Sequence, residues 1–128
     1  MTKSFVDTNI FIYSLFPVDP KKHVACLALF ERAQKGNISL WTTELVIAEI
    51  VWLLDRMKKT LAENKAAIEN ILSTKGLVVR NIHIIRQALL LWNENIEFID
   101  AMNRATCEDE GITEGYTYDK GFNTIPGF

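Results

Sequence analysis

Ser4-Phe5-Val6-Asp7-Thr8-Asn9-Ile10-Phe11-Ile12-Tyr13-Ser14-Leu15-Phe16 is the stretch on which the fold turns. Its first three residues are short and largely apolar, as a strand is, and Asp7-Thr8-Asn9 then breaks the pattern. Asp and Asn suit the junction of a strand and a helix, because their side chains accept hydrogen bonds from the N–H groups that a helix start leaves free. Ile10 to Phe16 follows as a short apolar helix, stopped by Pro17 and Pro20. A strand that runs directly into a helix is half of a βα unit, and the rest of the chain repeats it.

The next helix starts near Pro20, which suits a first-turn position, and ends at Gly36-Asn37. Val24, Leu27, Ala28 and Ala33 recur at helical spacing and are expected to face inward, with Lys21, Lys22, Glu31, Arg32 and Lys35 facing solvent. Ile38 to Trp41 reads as a second strand. Thr42-Thr43-Glu44 then opens a long helix to about Lys59, capped by Thr42 or Thr43. Further helices are predicted over Leu61 to Leu72, Ile82 to Trp92, and Phe98 or Ile99 to Glu110. A third strand falls at Leu77-Val78-Val79, a fourth at Tyr116-Thr117-Tyr118 and a last one around Asn123 to Ile125. Strands alternating with longer helices predict an α/β fold: a three-layer α/β/α domain around a mainly parallel sheet of about five strands. In such folds ligands gather at the carboxyl ends of the strands.

Composition sets the outer bounds. The chain has 128 residues, 48% of them hydrophobic and 23% charged, which fits one globular domain over residues 1–128 and argues against disorder. A formal net charge of -2 excludes a protein that coats nucleic acid through bulk positive charge. No run reaches the ~20 apolar residues of a membrane span, and the N-terminus has no signal-peptide core, so a soluble cytoplasmic protein is expected. Cys26 and Cys107 read as reduced, buried thiols rather than a metal knuckle. Trp41, Trp52 and Trp92 each sit in apolar stretches and read as core residues.

Four carboxylates stand apart from the others by their surroundings. Asp7 closes the first strand and Asp119 the predicted fourth one, while Glu49 and Asp100 lie in the first parts of helices that follow loops. Each has a plain reading as well: Asp7 and Asp100 as helix caps, Asp119 as a turn residue, and Glu49 as half of an ion pair or as a residue at the solvent-facing seam of its helix. Glu49 lies within Leu45-Val46-Ile47-Ala48-Glu49-Ile50-Val51-Trp52-Leu53-Leu54, apolar nearly all round, so it is expected to be buried. Taken together, the four positions converge on one rim of a parallel α/β domain. Carboxylates gathered there repel one another and bind a hard divalent cation, Mg²⁺ or Mn²⁺. Glu108-Asp109-Glu110 is the densest acidic run, but it ends a helix and reads as a solvated face.

These residues, Phe5-Val6-Asp7-Thr8-Asn9-Ile10, then Glu49 after Thr42-Thr43-Glu44-Leu45, then Asp100-Ala101, then Thr117-Tyr118-Asp119-Lys120-Gly121-Phe122, resemble the PIN domain. The likeness is greatest to the small VapC-type toxins of toxin–antitoxin pairs, and it runs the length of the chain in order. It implies a metal-dependent ribonuclease in which Asp7, Glu49, Asp100 and Asp119 form the site. Asp7 and Asp100 would be direct ligands of Mg²⁺ or Mn²⁺, Glu49 and Asp119 would act directly or through water, and Asn9 and Thr117 would support them. It further implies a homodimer, an RNA substrate and a cognate antitoxin protein.

The chemistry that follows is hydrolysis of an RNA phosphodiester by in-line attack of a water whose pKa the metal lowers. Such a route needs no histidine, and the chain has only His23 and His83, both in helical segments. The competing class is a PIN-like binding module without catalysis. A phosphatase- or receiver-type phosphoryl transferase is disfavoured, since Asp7-Thr8-Asn9 lacks the second Asp of those phosphatases. Lys21, Lys22, Arg56, Lys58, Lys59, Arg80 and Arg86 remain as candidate phosphate contacts.

Overall fold

Three short strands, β1 (Lys3–Phe5), β2 (Ser39–Thr42) and β3 (Leu77–Val79), pair side by side in the order β1-β2-β3, all parallel. Lys3 lies opposite Ser39 and Phe5 opposite Trp41, while Leu40 faces Leu77 and Thr42 faces Val79. Parallel neighbours cannot be joined by a tight turn, so each connection is a helical crossover. Helices α1 (Thr8–Leu15) and α2 (Pro20–Gln34) return the chain from β1 to β2. Helices α3 (Glu44–Arg56) and α4 (Leu61–Leu72) return it from β2 to β3, and α5 (Ile82–Leu91) and α6 (Phe98–Glu110) complete the regular elements among the described residues. The computed structural model describes residues 1–118.

The α/β class and the parallel sheet are as the sequence predicts. The strand count differs: three strands are present among the described residues, not about five. Residues 112–118 carry no regular structure, and the strand expected at Tyr116–Tyr118 is absent there. Both tyrosines, on the same face by alternation, are fully exposed, so the face that a strand would have buried lies in water. The strand expected around Asn123 to Ile125 lies outside the described residues, as does Asp119.

By contact the chain divides into two compact units, Met1–Arg80 and Asn81 onward. The first is packed around Val6, Phe11, Leu40, Ile47, Ile50, Leu54 and Ile68, all almost wholly buried. Side chains of this kind each contribute about 1.5–3 kcal/mol when removed from water, and they hold the sheet against its helices. In the second unit α5 buries Ile85, Ala88 and Leu89, and α6 buries Ala101 and Ala105, small residues that let two helices approach closely.

The inward face of α2 is the expected one only at Ala33. Val24 is 64% exposed and Leu27 46%, and the buried stripe is Cys26 and Ala33, with His23, Leu29 and Phe30 half-buried. The helix carries two apolar stripes side by side, and contacts made elsewhere in the sequence choose between them. Phe30 packs on Phe11 of α1 with ring centroids 5.4 Å apart, and His23 Nδ1 lies 2.7 Å from the Tyr13 carbonyl oxygen. Burial pushes the Cys26 thiol pKa up, which keeps it protonated and inert. Trp52 also departs from expectation: Trp92 is buried and Trp41 half-buried, but Trp52 is 57% exposed. Among the described residues no helix is long and apolar enough to cross a membrane.

Candidate active site

The carboxyl ends of β1 and β2 are tied together just where the chain leaves the sheet. The Val6 N–H donates to the Trp41 carbonyl at 2.9 Å, and the buried Thr42 hydroxyl donates to the Val6 carbonyl at 3.0 Å. Of the two threonines that precede α3, Thr42 is therefore used by the sheet and Thr43 by the helix. Thr43 Oγ1 accepts from the Val46 N–H at 3.3 Å, which fixes where α3 starts relative to the end of β1.

Asp7 follows Val6 in extended conformation as the N-cap of α1, and its Oδ1 accepts the Thr8 N–H at 2.8 Å. Thr8 itself is buried, and its hydroxyl donates to Glu49 Oε2 on α3 at 2.7 Å. One residue thus holds two carboxylates, Asp7 through its backbone and Glu49 through its side chain, although they are far apart in sequence. Asp7 and Asn9 are exposed.

Glu49 is exposed as well, contrary to the burial expected of it. The apolar run around it misleads because α3 packs on one side only. Val46, Ile47, Ile50, Val51 and Leu54 form the buried face, while Leu45, Glu49, Trp52 and Arg56 point outward.

Within the second unit, Asp100 is the third residue of α6 and half-buried. The N-cap position belongs to Glu97, so Asp100 is not the cap of its helix. Its place in the first turn suits a carboxylate, since the helix start carries partial positive charge. The loop that delivers it is well defined: Asn93 Oδ1 accepts from the N–H groups of Asn95 at 2.7 Å and Ile96 at 2.9 Å. Trp92 and Phe98 meet edge to face at 5.2 Å across that loop. Thr117 is exposed in the irregular segment after α6. The acidic run at the end of α6 is solvated as expected, with Glu108 paired to Arg104 at 3.2 Å and Asp109 lying 3.4 Å from His83.

Asp7 and Glu49 offer only oxygen donors, the chemistry that Mg²⁺ and Mn²⁺ take. Thr8 engages one oxygen of each, and the second oxygen of each carries no hydrogen bond among the described residues. The donor set therefore fits a hard divalent ion. Among the described residues no three His, Cys, Asp or Glu side chains form a ligand group. Thr8 is the contributor that sequence reading passed over. Its position between Asp7 and Asn9 was the only available signal, and it does not reveal a bond to a helix so distant in sequence.

A PIN domain family model matches residues 4–127. The chain belongs to the PIN domain family. Among solved structures it is similar to the sarcin-ricin-loop-cleaving toxin VapC20 of Mycobacterium tuberculosis, at 20% identity over 97% of each chain with a TM-score of 0.40. No curated protein matches this PIN domain sequence.

Proposed function

We propose that this PIN domain is a divalent-metal-dependent endoribonuclease of the VapC toxin type. The observation that carries the reading is the Thr8 clamp, which presents Asp7 and Glu49 as two exposed, oxygen-only carboxylates at the carboxyl end of β1. Family membership supports it, and a single family model running over residues 4–127 supports one domain over the whole chain.

In this reading Asp7 and Asp100 are the direct ligands of Mg²⁺ or Mn²⁺, with Glu49 and Asp119 acting directly or through water and Asn9 and Thr117 in support. The ion, when bound, lowers the pKa of water and offsets charge on the phosphate oxygens. The protein's own part is positional. Thr8 holds Glu49 by Oε2, which leaves Oε1 to take the proton of the attacking water as the phosphodiester opens. Asp7 is fixed by its cap bond, so its geometry is set before substrate arrives. The leaving ribose oxygen is protonated from solvent, and no histidine takes part. A cytoplasmic homodimer restrained by an antitoxin protein completes the proposal.

The test is cleavage of labelled RNA with Mg²⁺ or Mn²⁺. Wild type is expected to cut, Asp7→Asn to fall to background, and Glu49→Gln to lose about 10²–10⁴-fold in kcat, the usual worth of a general base. Wild type and Asp7→Asn that are equally inert on varied RNAs with either ion would overturn the nuclease and favour a binding module.

A further inference from the structure

The outward line of α3 is Leu45, Glu49, Trp52 and Arg56, spaced by four, three and four residues and so aligned along one face of the helix. Leu45 is 77% and Trp52 57% exposed, which leaves a large indole face in water next to a candidate catalytic acid. The Arg56 guanidinium lies 4.6 Å from the centre of the Trp52 ring. Glu49 stands one turn before Trp52 and two turns before Arg56, about 10 Å along the axis.

Cation–aromatic pairs continue on the adjoining helix. Lys59 Nζ sits 5.6 Å over the ring of Phe16, which caps α1, and Lys22 Nζ sits 4.9 Å over Tyr13 of α1. The end of α3 is thus rich in positive charge, with Arg56, Lys58 and Lys59 exposed, and the neighbouring Asp55 is engaged by Asn64 Nδ2 at 2.9 Å. An apolar protein partner would gain little from these exposed cations. Flat π faces interleaved with cations match a polyanion whose bases are free to stack.

We propose that Trp52, Arg56 and Lys59 form a platform that holds single-stranded RNA beside Glu49. An unpaired base stacks on the Trp52–Arg56 pair, and Arg56 and Lys59 meet flanking phosphates. A duplex, whose bases are already stacked on one another, cannot use it. The inference rests on the ribonuclease reading and adds where the strand lies and which form of RNA is taken.

The experiment measures binding of a short labelled single-stranded RNA by anisotropy on the full chain in EDTA, across a salt series, with light scattering for oligomeric state. Trp52→Ala is expected to weaken binding about tenfold, the scale of a lost stacking partner, while the slope of log affinity against log salt is retained. Arg56→Ala and Lys59→Ala should each lower that slope by about 0.7, the value of one phosphate contact on a single strand. Trp52→Phe should recover most of the affinity, and an RNA duplex should bind more weakly than the single strand.

Unchanged affinity in Trp52→Ala overturns the platform, as does wild type that fails to bind. Loss of affinity in Trp52→Ala that accompanies conversion of a dimer to a monomer also overturns it, and makes this face a subunit contact. Because binding is read without metal, the two readings separate. A chain that cleaves RNA but binds independently of Trp52 keeps the nuclease and loses the platform. One that binds through Trp52 and never cleaves does the reverse.

Discussion

Thr8 has a role out of proportion to its size, because its two hydrogen-bonding groups serve two different acids. Thr8→Val keeps the shape and the backbone N–H that caps against Asp7, and removes only the hydroxyl that holds Glu49. Glu49 is exposed, so it would be solvated rather than left unpaired, and the fold should tolerate the change. What is lost is orientation, and outer-shell partners of this kind are worth about 10- to 100-fold in metal affinity or activity. A Mn²⁺ titration of RNA cleavage should therefore shift to higher metal by that factor in Thr8→Val, with an unaltered melting curve in the absence of metal. An equal titration midpoint would show that Glu49 needs no positioning. At this scale the sequence was informative about residue type and silent about pairing. Asp7 at a strand end was readable from its neighbours. The Thr8–Glu49 bond was not, because it depends on how α1 and α3 pack.

Among the elements, α4 shows most plainly how local chemistry sets a boundary. Thr60 Oγ1 accepts the Glu63 N–H at 3.1 Å, and Glu63 Oε1 accepts the Thr60 N–H at 3.1 Å, a reciprocal capping box. The Thr60 N–H donated to the charged carboxylate, helped by the Thr60 side chain, holds the Glu63 pKa below its ordinary 4.5. A lowered acid pKa means that the stabilisation is present above pH 4.5 and is lost as pH falls through the depressed value. Thr60→Ala should cost about 1 kcal/mol in urea unfolding at neutral pH. The gap between wild type and Glu63→Gln should close on acidification below pH 4.5; a gap that widens there would contradict the cap as its source.

The entry to β3 depends instead on backbone. Gly76 has φ +86, and a side-chain carbon there would fall on the backbone carbonyl of Ala33 in α2. Gly76→Ala should destabilise the protein by at least about 2 kcal/mol, combining positive-φ strain with the collision. An unfolding midpoint equal to wild type would show that α2 can give way. Elements set by such local signals were legible: α4 and β3 occupy the residues the pattern gives them. Elements set by competition were not. Two apolar stripes on α2 were resolved by Phe11, and the tyrosine segment near the C-terminus has strand alternation but leaves both tyrosines exposed.

For the whole molecule, 16 acids against 14 bases give a slight negative excess that says little by itself, since the placement of charge decides its use. Asp7 and Glu49 are brought together by folding alone, and an unfolded chain offers an ion no such pair. Whatever affinity the folded state has for a divalent ion therefore adds to stability by mass action, about 2.7 kcal/mol at a hundredfold excess over Kd. In a chain of this length that is a rise of about 10 °C in Tm. Mn²⁺ should raise the Tm of wild type in a saturable way, EDTA should reverse the rise, and Asp7→Asn should not respond. Asp100→Asn provides the sharper arm. Loss of the response there would make Asp100 a ligand of the same ion as Asp7, whereas a full response would remove it from the ligand set. Because this measurement reads binding rather than turnover, it separates a folded protein that holds its metal but lacks a matching RNA from one whose carboxylates hold no ion at all.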